Sequence, residues 1–223
     1  MPALVARRPI GVFGGTFDPI HFGHLCLAHE LAQHLSLGEV RFVPTGLPPH
    51  RGAPASSPRH RLAMVRLAIT GNPQFVIDER EVLRKGPCYT FDTLSELRTE
   101  LGAARPLCLL MGSDAFSGLV TWKNWRGLFD LAHIAVAHRA GFVRKTWERL
   151  LPAALRREMR KRLTADNAML CAQPHGSIFL QPITALDISA STIRARLKAR
   201  VSSPRYLLPD AVLEYSRQHR LFR

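Results

Sequence analysis

Ile10-Gly11-Val12-Phe13-Gly14-Gly15-Thr16-Phe17-Asp18-Pro19-Ile20-His21-Phe22-Gly23-His24-Leu25 is the stretch from which the fold is read. Ile10 to Phe13 is a short apolar run that breaks off at Gly14-Gly15, the pattern of a buried strand and its exit turn. Helical periodicity then takes over. Leu25, Leu27, Ala28, Leu31, Ala32 and Leu35 recur on one face of a helix expected over Phe22 to Leu37, with Gly38 as its stop. Glu39 to Pro44, carrying Val40, Phe42 and Val43, reads as a second strand. Strand, helix and strand in that order have the length of a parallel crossover.

The same alternation continues downstream. Thr45 to Pro58 is rich in Gly, Pro and Ser and reads as an irregular loop, after which Ser57 caps a helix with Pro58 in its first turn, running to about Thr70. Gln74 to Asp78 suggests a third strand, and Thr90 is expected to cap a helix carrying Leu94, Leu97 and Leu101 that ends at Gly102. Leu107 to Met111, closed by Gly112, and His133 to Ala137 are further apolar strands. Residues 144–163 read as one charged amphipathic helix, Ile178 to Leu180 as a last short strand, and helices are expected from Ser189 and from about Asp210. Strands alternating with helices predict an α/β fold, a doubly wound, Rossmann-like parallel sheet. No internal repeat or long linker demands a second domain, so residues 1–223 are expected to form one, with 1–8 as a flexible N-terminal tail.

Bulk composition narrows the classes. Of 223 residues, 46% are hydrophobic and 22% charged, as in an ordinary globular protein with a buried core. No apolar stretch has the length to span a bilayer, and the apolar residues ahead of Arg7-Arg8 are too few for a signal peptide, so no membrane partner and a cytoplasmic location are expected. Cys26, Cys88, Cys108 and Cys171 are scattered without a Cys-x-x-Cys pair, which indicates neither a disulfide framework nor a zinc site. Cys26 and Cys108 read as small core residues. The net charge of +14 suits polyanionic partners, ATP among them. Its densest run, Arg156-Arg157-Glu158-Met159-Arg160-Lys161-Arg162, reads as a solvated helix face, and no aromatic-interleaved module for specific nucleic-acid binding stands out.

Chemistry concentrates where the first strand turns into its helix, the usual crevice for nucleotides in such folds. Gly14 and Gly15 let main-chain amides approach a phosphate closely, and the helix N-terminus adds unpaired N–H groups and its positive dipole end. His21 and His24 fall on one helical face, with Gly23 leaving room for a ligand. An isolated His-x-x-His is more often a surface feature, and as a zinc site it lacks an acidic or Cys partner. No Gly-Lys-Ser/Thr follows the glycines, which rules out a Walker A loop. A second element, Ile188-Ser189-Ala190-Ser191-Thr192-Ile193-Arg194, begins a late helix. It is equally a plain N-cap or a phosphate-binding turn whose hydroxyls and Arg194 reach an anion.

With both elements in view, the chain resembles the nucleotidyltransferase superfamily marked by His-x-Gly-His and an Ile-Ser-Ser-Thr-x-Ile-Arg-like segment. Within it the chain is most similar to the bacterial nicotinate mononucleotide adenylyltransferases. Pro48-Pro49-His50-Arg51 resembles that family's Pro-Pro-His-Lys loop. Tyr89-Thr90-Phe91-Asp92-Thr93-Leu94 resembles a Tyr-Thr/Ser-x-Asp-Thr-Leu helix start. Met111-Gly112-Ser113-Asp114, with Trp122 and Trp125 beyond, resembles its Gly-x-Asp…Trp segment, and Arg139-Ala140-Gly141 an Arg-Pro-Gly turn. The resemblance covers roughly residues 8–222. Arg51 stands where Lys is usual, Ala190 and Ser191 replace Ser and Thr, and Ala140 replaces Pro.

The resemblance implies transfer of AMP from ATP to the phosphate of nicotinate mononucleotide, giving deamido-NAD and pyrophosphate without a covalent intermediate. It implies His21, His24 and Arg194 as the groups acting on the leaving pyrophosphate, and Gly14, Gly15, Thr16, Phe17, Gly112, Asp114, Ser189, Ser191 and Thr192 as contacts of ATP, with Asp114 on a ribose hydroxyl. His50, Arg51, Thr90 and Trp122 are implied on the acceptor side, Trp122 stacking on the pyridine ring, although plain burial is the ordinary reading of a tryptophan. Mg2+ is expected to arrive with ATP, and no residue is assigned to metal, since Asp18 before a proline is equally a turn residue. The nearest rival is phosphopantetheine adenylyltransferase, which shares His-x-Gly-His but lacks the Pro-Pro-His and Gly-x-Asp…Trp segments. A non-catalytic nucleotide sensor is the rival of another class, and the intact set of His21, His24 and Arg194 speaks against it.

Overall fold

The computed structural model of the chain describes residues 8–48, 52–138, 142–184, 186–199 and 202–223. Six strands, β1 (Ile10–Gly15), β2 (Glu39–Pro44), β3 (Phe75–Ile77), β4 (Leu107–Gly112), β5 (His133–His138) and β6 (Ile178–Pro182), form one sheet in the order β3-β2-β1-β4-β5-β6. Parallel registers run from β1 to β6: Ile10 faces Leu107, Leu109 faces Ile134, and Val136 faces Leu180. This order is that of a doubly wound sheet, as expected, with the winding reversed at β1 and β4. Leu107 to Met111 and His133 to Ala137 are buried without alternation, the mark of strands covered on both faces.

The connections carry α1 (Phe22–His34), α2 (Pro58–Ile69), α3 (Arg80–Leu83), α4 (Thr90–Leu101), α5 (Ser113–Ser117), α6 (Arg144–Leu150), α7 (Ala153–Arg162), α8 (Met169–Ala172), α9 (Ala190–Ala199) and α10 (Asp210–Gln218). Among the described residues no helix is long and apolar enough to cross a membrane. The chain divides into two compact units, residues 1–13, 27–40 and 89–185 in one and 14–26, 41–88 and 186–223 in the other. In the first, α4 buries Leu94 and Leu97, α7 buries Leu155 and Met159, and Arg98 donates to the carbonyls of Leu131, Ala103, Arg105 and Pro174. In the second, α2 buries Leu62, Met64, Val65 and Ile69, and α10 buries Val212 and Leu213.

Four expectations change. The predicted helix over 144–163 is two helices, α6 and α7, because Pro152 forces Leu151 into an extended conformation (φ −67°, ψ 143°) and lacks the N–H a continuous helix needs. Helix α1 stops at His34, before Leu37. Its end is a Schellman turn in which Leu37 N–H donates to Ala32 O and Ser36 N–H to Gln33 O, with Ser36 itself at φ 49°. Gly38 is therefore not the stop; its N–H donates to Pro9 O. Thr90 is the first helical residue of α4 and not its cap, since the first i→i−4 bond runs from Thr93 N–H to Tyr89 O. Cys108 is a core residue, but Cys26 is only half-buried, and Cys88 takes the second buried position. The short helices α3, α5 and α8 carry too few residues to show a periodicity in sequence.

Candidate active site

In the second unit the loop leaving β1 is held from beneath by its carbonyls. Gly15 O accepts from Thr45 N–H at 2.9 Å, Thr16 O from Arg61 Nη1 at 2.9 Å, and Asp18 O from Arg194 Nη1 at 2.7 Å. Phe17 sits at φ 49°, a left-handed conformation uncommon for a bulky residue, with its ring buried edge-on against His24 at 5.1 Å. The Asp18–Pro19 peptide is cis. The Asp18 carboxylate is buried, accepting from Ala55 N–H at 2.7 Å and from the Ser56 hydroxyl, so it anchors the loop rather than facing a ligand.

His21 precedes α1 and His24 lies in its first turn, and their rings stack with centroids 3.7 Å apart. A Cβ on Gly23 would come within 3.1 Å of the His21 ring, so the glycine makes room for that ring. The His21 main-chain N–H donates to His24 Nδ1 at 3.3 Å, which leaves the His24 ring proton on Nε2. His21 Nδ1 is buried with no hydrogen-bond partner. Burial draws the His21 pKa down to about 4, and burial followed by the neighbouring His21 holds His24 well below its ordinary value. Both rings are therefore neutral donors at pH 7.

This has a consequence for stability. As pH falls below about 6.5 the unfolded chain takes up protons at these histidines before the folded one does, so folding stability drops down to about pH 4. Urea titrations of the ligand-free protein across this window are expected to show that decline, with a shallower slope for His21→Phe. Parallel slopes for wild type and variant would show that burial of His21 is not the cause.

The late element behaves as its sequence suggests. Ser189 Oγ accepts from Thr192 N–H at 3.1 Å, so Ser189 caps α9, and it lies 2.9 Å from Ser191 Oγ and 2.8 Å from Thr192 Oγ1. All three hydroxyl residues are exposed, while Ile193 is buried and anchors the turn. Thus Gly14 to Phe17, His21, His24, Ser189, Ser191, Thr192 and Arg194 all belong to one compact unit.

The other unit carries Gly112, Asp114, Thr90 and Trp122. Gly112 ends β4 and stands at the N-cap of α5; Asp114, in the first turn, is exposed. Thr90 opens α4, which no side chain caps, leaving its first N–H groups without an intrahelical partner. Trp122 is half-buried, not a core residue. Next to it, Lys123 Nζ donates to both Asp92 carboxylate oxygens at 2.9 Å and lies 4.8 Å from the centroid of the Tyr89 ring. His50 and Arg51, like Arg139 to Gly141, lie outside the described residues. Among the described residues no group of three or more His, Cys, Asp or Glu is arranged to hold a metal ion.

Sequence reading missed Arg61, Lys123 and the anchoring role of Asp18. Arg61 sits among Leu62, Met64 and Val65 on the buried face of α2, a charge at a core position, and that is the one signal that marks it.

Residues 12–196 match the cytidylyltransferase-like family. The probable nicotinate-nucleotide adenylyltransferase of Dechloromonas aromatica is 51% identical over 97% of this chain and 98% of its own, and that of Hahella chejuensis 48% identical over 97% and 96%. A Plasmodium falciparum nicotinic acid mononucleotide adenylyltransferase, solved in complex with NaAD, shares the fold at a TM-score of 0.70 and 17% identity, covering 96% of this chain and 97% of its own. By both the family match and the close similarity of these relatives, the chain belongs to the cytidylyltransferase-like family and groups there with the nicotinate-nucleotide adenylyltransferases.

Proposed function

We propose that this chain, acting as a single nucleotidyltransferase domain over residues 1–223, transfers the adenylyl group of ATP to nicotinate mononucleotide in the cytoplasm. The observation that carries the reading is the anchored loop Gly14–Phe17 beside the stacked, neutral pair His21 and His24, in a chain 51% identical to a relative named for this activity. The acceptor phosphate is a dianion and needs no general base. Its oxygen forms a new bond to the α-phosphorus as the α–β bridging bond breaks, and the electron pair leaves with pyrophosphate. The protein aligns the two substrates and meets the charge that develops on the leaving group.

His24 Nε2–H, His21 and Arg194 serve that leaving group, with Thr16, the Gly14–Phe17 main chain, Ser189, Ser191 and Thr192 on the other phosphate oxygens. Gly112 and Asp114 serve the adenosine side, and Thr90, Trp122, His50 and Arg51 the acceptor. Mg2+ fits as an ion carried on ATP's own phosphates, since the acid nearest the loop, Asp18, has its oxygens engaged by Ala55 and Ser56.

Pyrophosphate release from ATP, measured with nicotinate mononucleotide, nicotinamide mononucleotide and phosphopantetheine in parallel, tests the reading. Turnover with the first is expected, and none with it would overturn the proposal. Trp122→Ala is expected to raise KM for the mononucleotide far more than KM for ATP, because stacking serves only the pyridine ring. An unchanged acceptor KM in the folded variant would return Trp122 to an ordinary packing role.

A further inference from the structure

Arg61 is wholly buried, the largest fully buried side chain among the described residues. A guanidinium in that position is tolerable only when its donors are met. Arg61 Nη1 donates to Thr16 O at 2.9 Å, Nη2 to Gly46 O at 2.8 Å, and Nε to Ser56 O at 3.3 Å. The three carbonyls come from three segments: the loop after β1, the loop after β2, and the approach to α2. Gly46 is itself pressed against the Glu81 main chain, where a Cβ would lie 2.0 Å from Glu81 O. Asp18, in the first of these segments, ties it to the third through Ala55 and Ser56.

A trans peptide is planar and points its C=O and the following N–H in opposite directions. Capture of Thr16 O by Arg61 therefore fixes the peptide joining Thr16 to Phe17, just as Thr45 fixes the one before it. Phe17 at φ 49° is a conformation that persists only where its surroundings over-determine it. A planar fork with donors on three nitrogens supplies that constraint, and a lysine, with one compact ammonium, cannot hold three diverging carbonyls.

We propose that Arg61 is a positioning residue for adenylyl transfer: it presets the main chain of Thr16 and Phe17 for the phosphates of ATP and locks that loop to the segments at Gly46 and Ser56. The inference rests on the reading of Gly14–Phe17 as the phosphate loop. Two measurements test it. In the first, 15N relaxation of the wild-type protein without ATP is expected to give Thr16 and Phe17 amide order parameters near about 0.85; values below about 0.6 would overturn the proposal. In the second, Arg61→Lys, shown folded by circular dichroism, is expected to lower those order parameters and to reduce kcat/KM for ATP about a hundredfold.

A role in stability alone would lower the melting temperature without splitting kcat from KM. A folded Arg61→Lys with wild-type kinetics for ATP would also overturn the proposal. If the lysine variant does not fold, the wild-type order parameters decide. Failure of the wild-type protein to release pyrophosphate from ATP and nicotinate mononucleotide would instead count against the proposed function, and the relaxation data would still report whether the loop is preset.

Discussion

Replacing His24 by alanine is expected to lower kcat by about two to three orders of magnitude while the protein stays folded, the loss typical of removing one donor aimed at developing charge. The ring is half-buried, so truncation does not empty the core. It removes an Nε2–H that is fixed in place, because His24 Nδ1 accepts from the His21 main chain and the ring stacks on His21. Since burial keeps the ring neutral, the lost contribution is a directed hydrogen bond and not a standing positive charge. His24→Gln, which can present a neutral N–H at a similar reach, is therefore expected to retain more activity than His24→Ala. Steady-state kinetics at saturating ATP and mononucleotide decide the matter. Equal kcat for His24→Ala and wild type would remove His24 from the reaction.

The second large effect concerns the acceptor. Nicotinate and nicotinamide mononucleotides differ by a carboxylate against a carboxamide. Helix α4 opens at Thr90 with no side-chain cap, so its first N–H groups and positive dipole end favour an anion by up to about 2 kcal/mol in a partly buried site. A carboxamide would turn its NH2 toward one of those donors, a mismatch that adds about 1–3 kcal/mol. Asp92 in the first turn would oppose an anionic ligand, but Lys123 holds both of its oxygens at 2.9 Å and offsets its charge. The expected preference in kcat/KM for the acid is at least about a hundredfold. Comparable values for the two mononucleotides would sink this account of selectivity and leave adenylyl transfer itself intact.

What the sequence made legible were features repeated over several residues or carried by local chemistry. The apolar runs at Leu107–Met111 and His133–Ala137 needed no tertiary knowledge, and Ser57 and Ser189 cap their helices as their side chains suggest. Pro152 was equally visible, and weighing the charged periodicity of 144–163 above it produced one helix where there are two. The Schellman turn at Ser36 hid because glycine, not serine, is the usual mark of that conformation, and Gly38 stood close enough to attract the assignment. Arg61 left a trace only as a charge among the apolar positions of α2, and its partners left none: its three acceptors are main-chain atoms of Thr16, Gly46 and Ser56, and main-chain carbonyls do not show in side-chain identity. Lys123 and Asp92 pair across 31 positions, and nothing in the pattern of either segment announces the other.

The neutral histidine stack also keeps the hydrogen ion out of binding. Burial holds His21 down to about 4 and His24 well below its ordinary value, so a triphosphate placed against these rings meets groups that stay uncharged near neutral pH. The heat of ATP binding should therefore be independent of the ionisation enthalpy of the buffer. Titration calorimetry in phosphate and in Tris should give the same heat. Heats that differ in proportion to that enthalpy would mean that the imidazoles change charge as the nucleotide arrives.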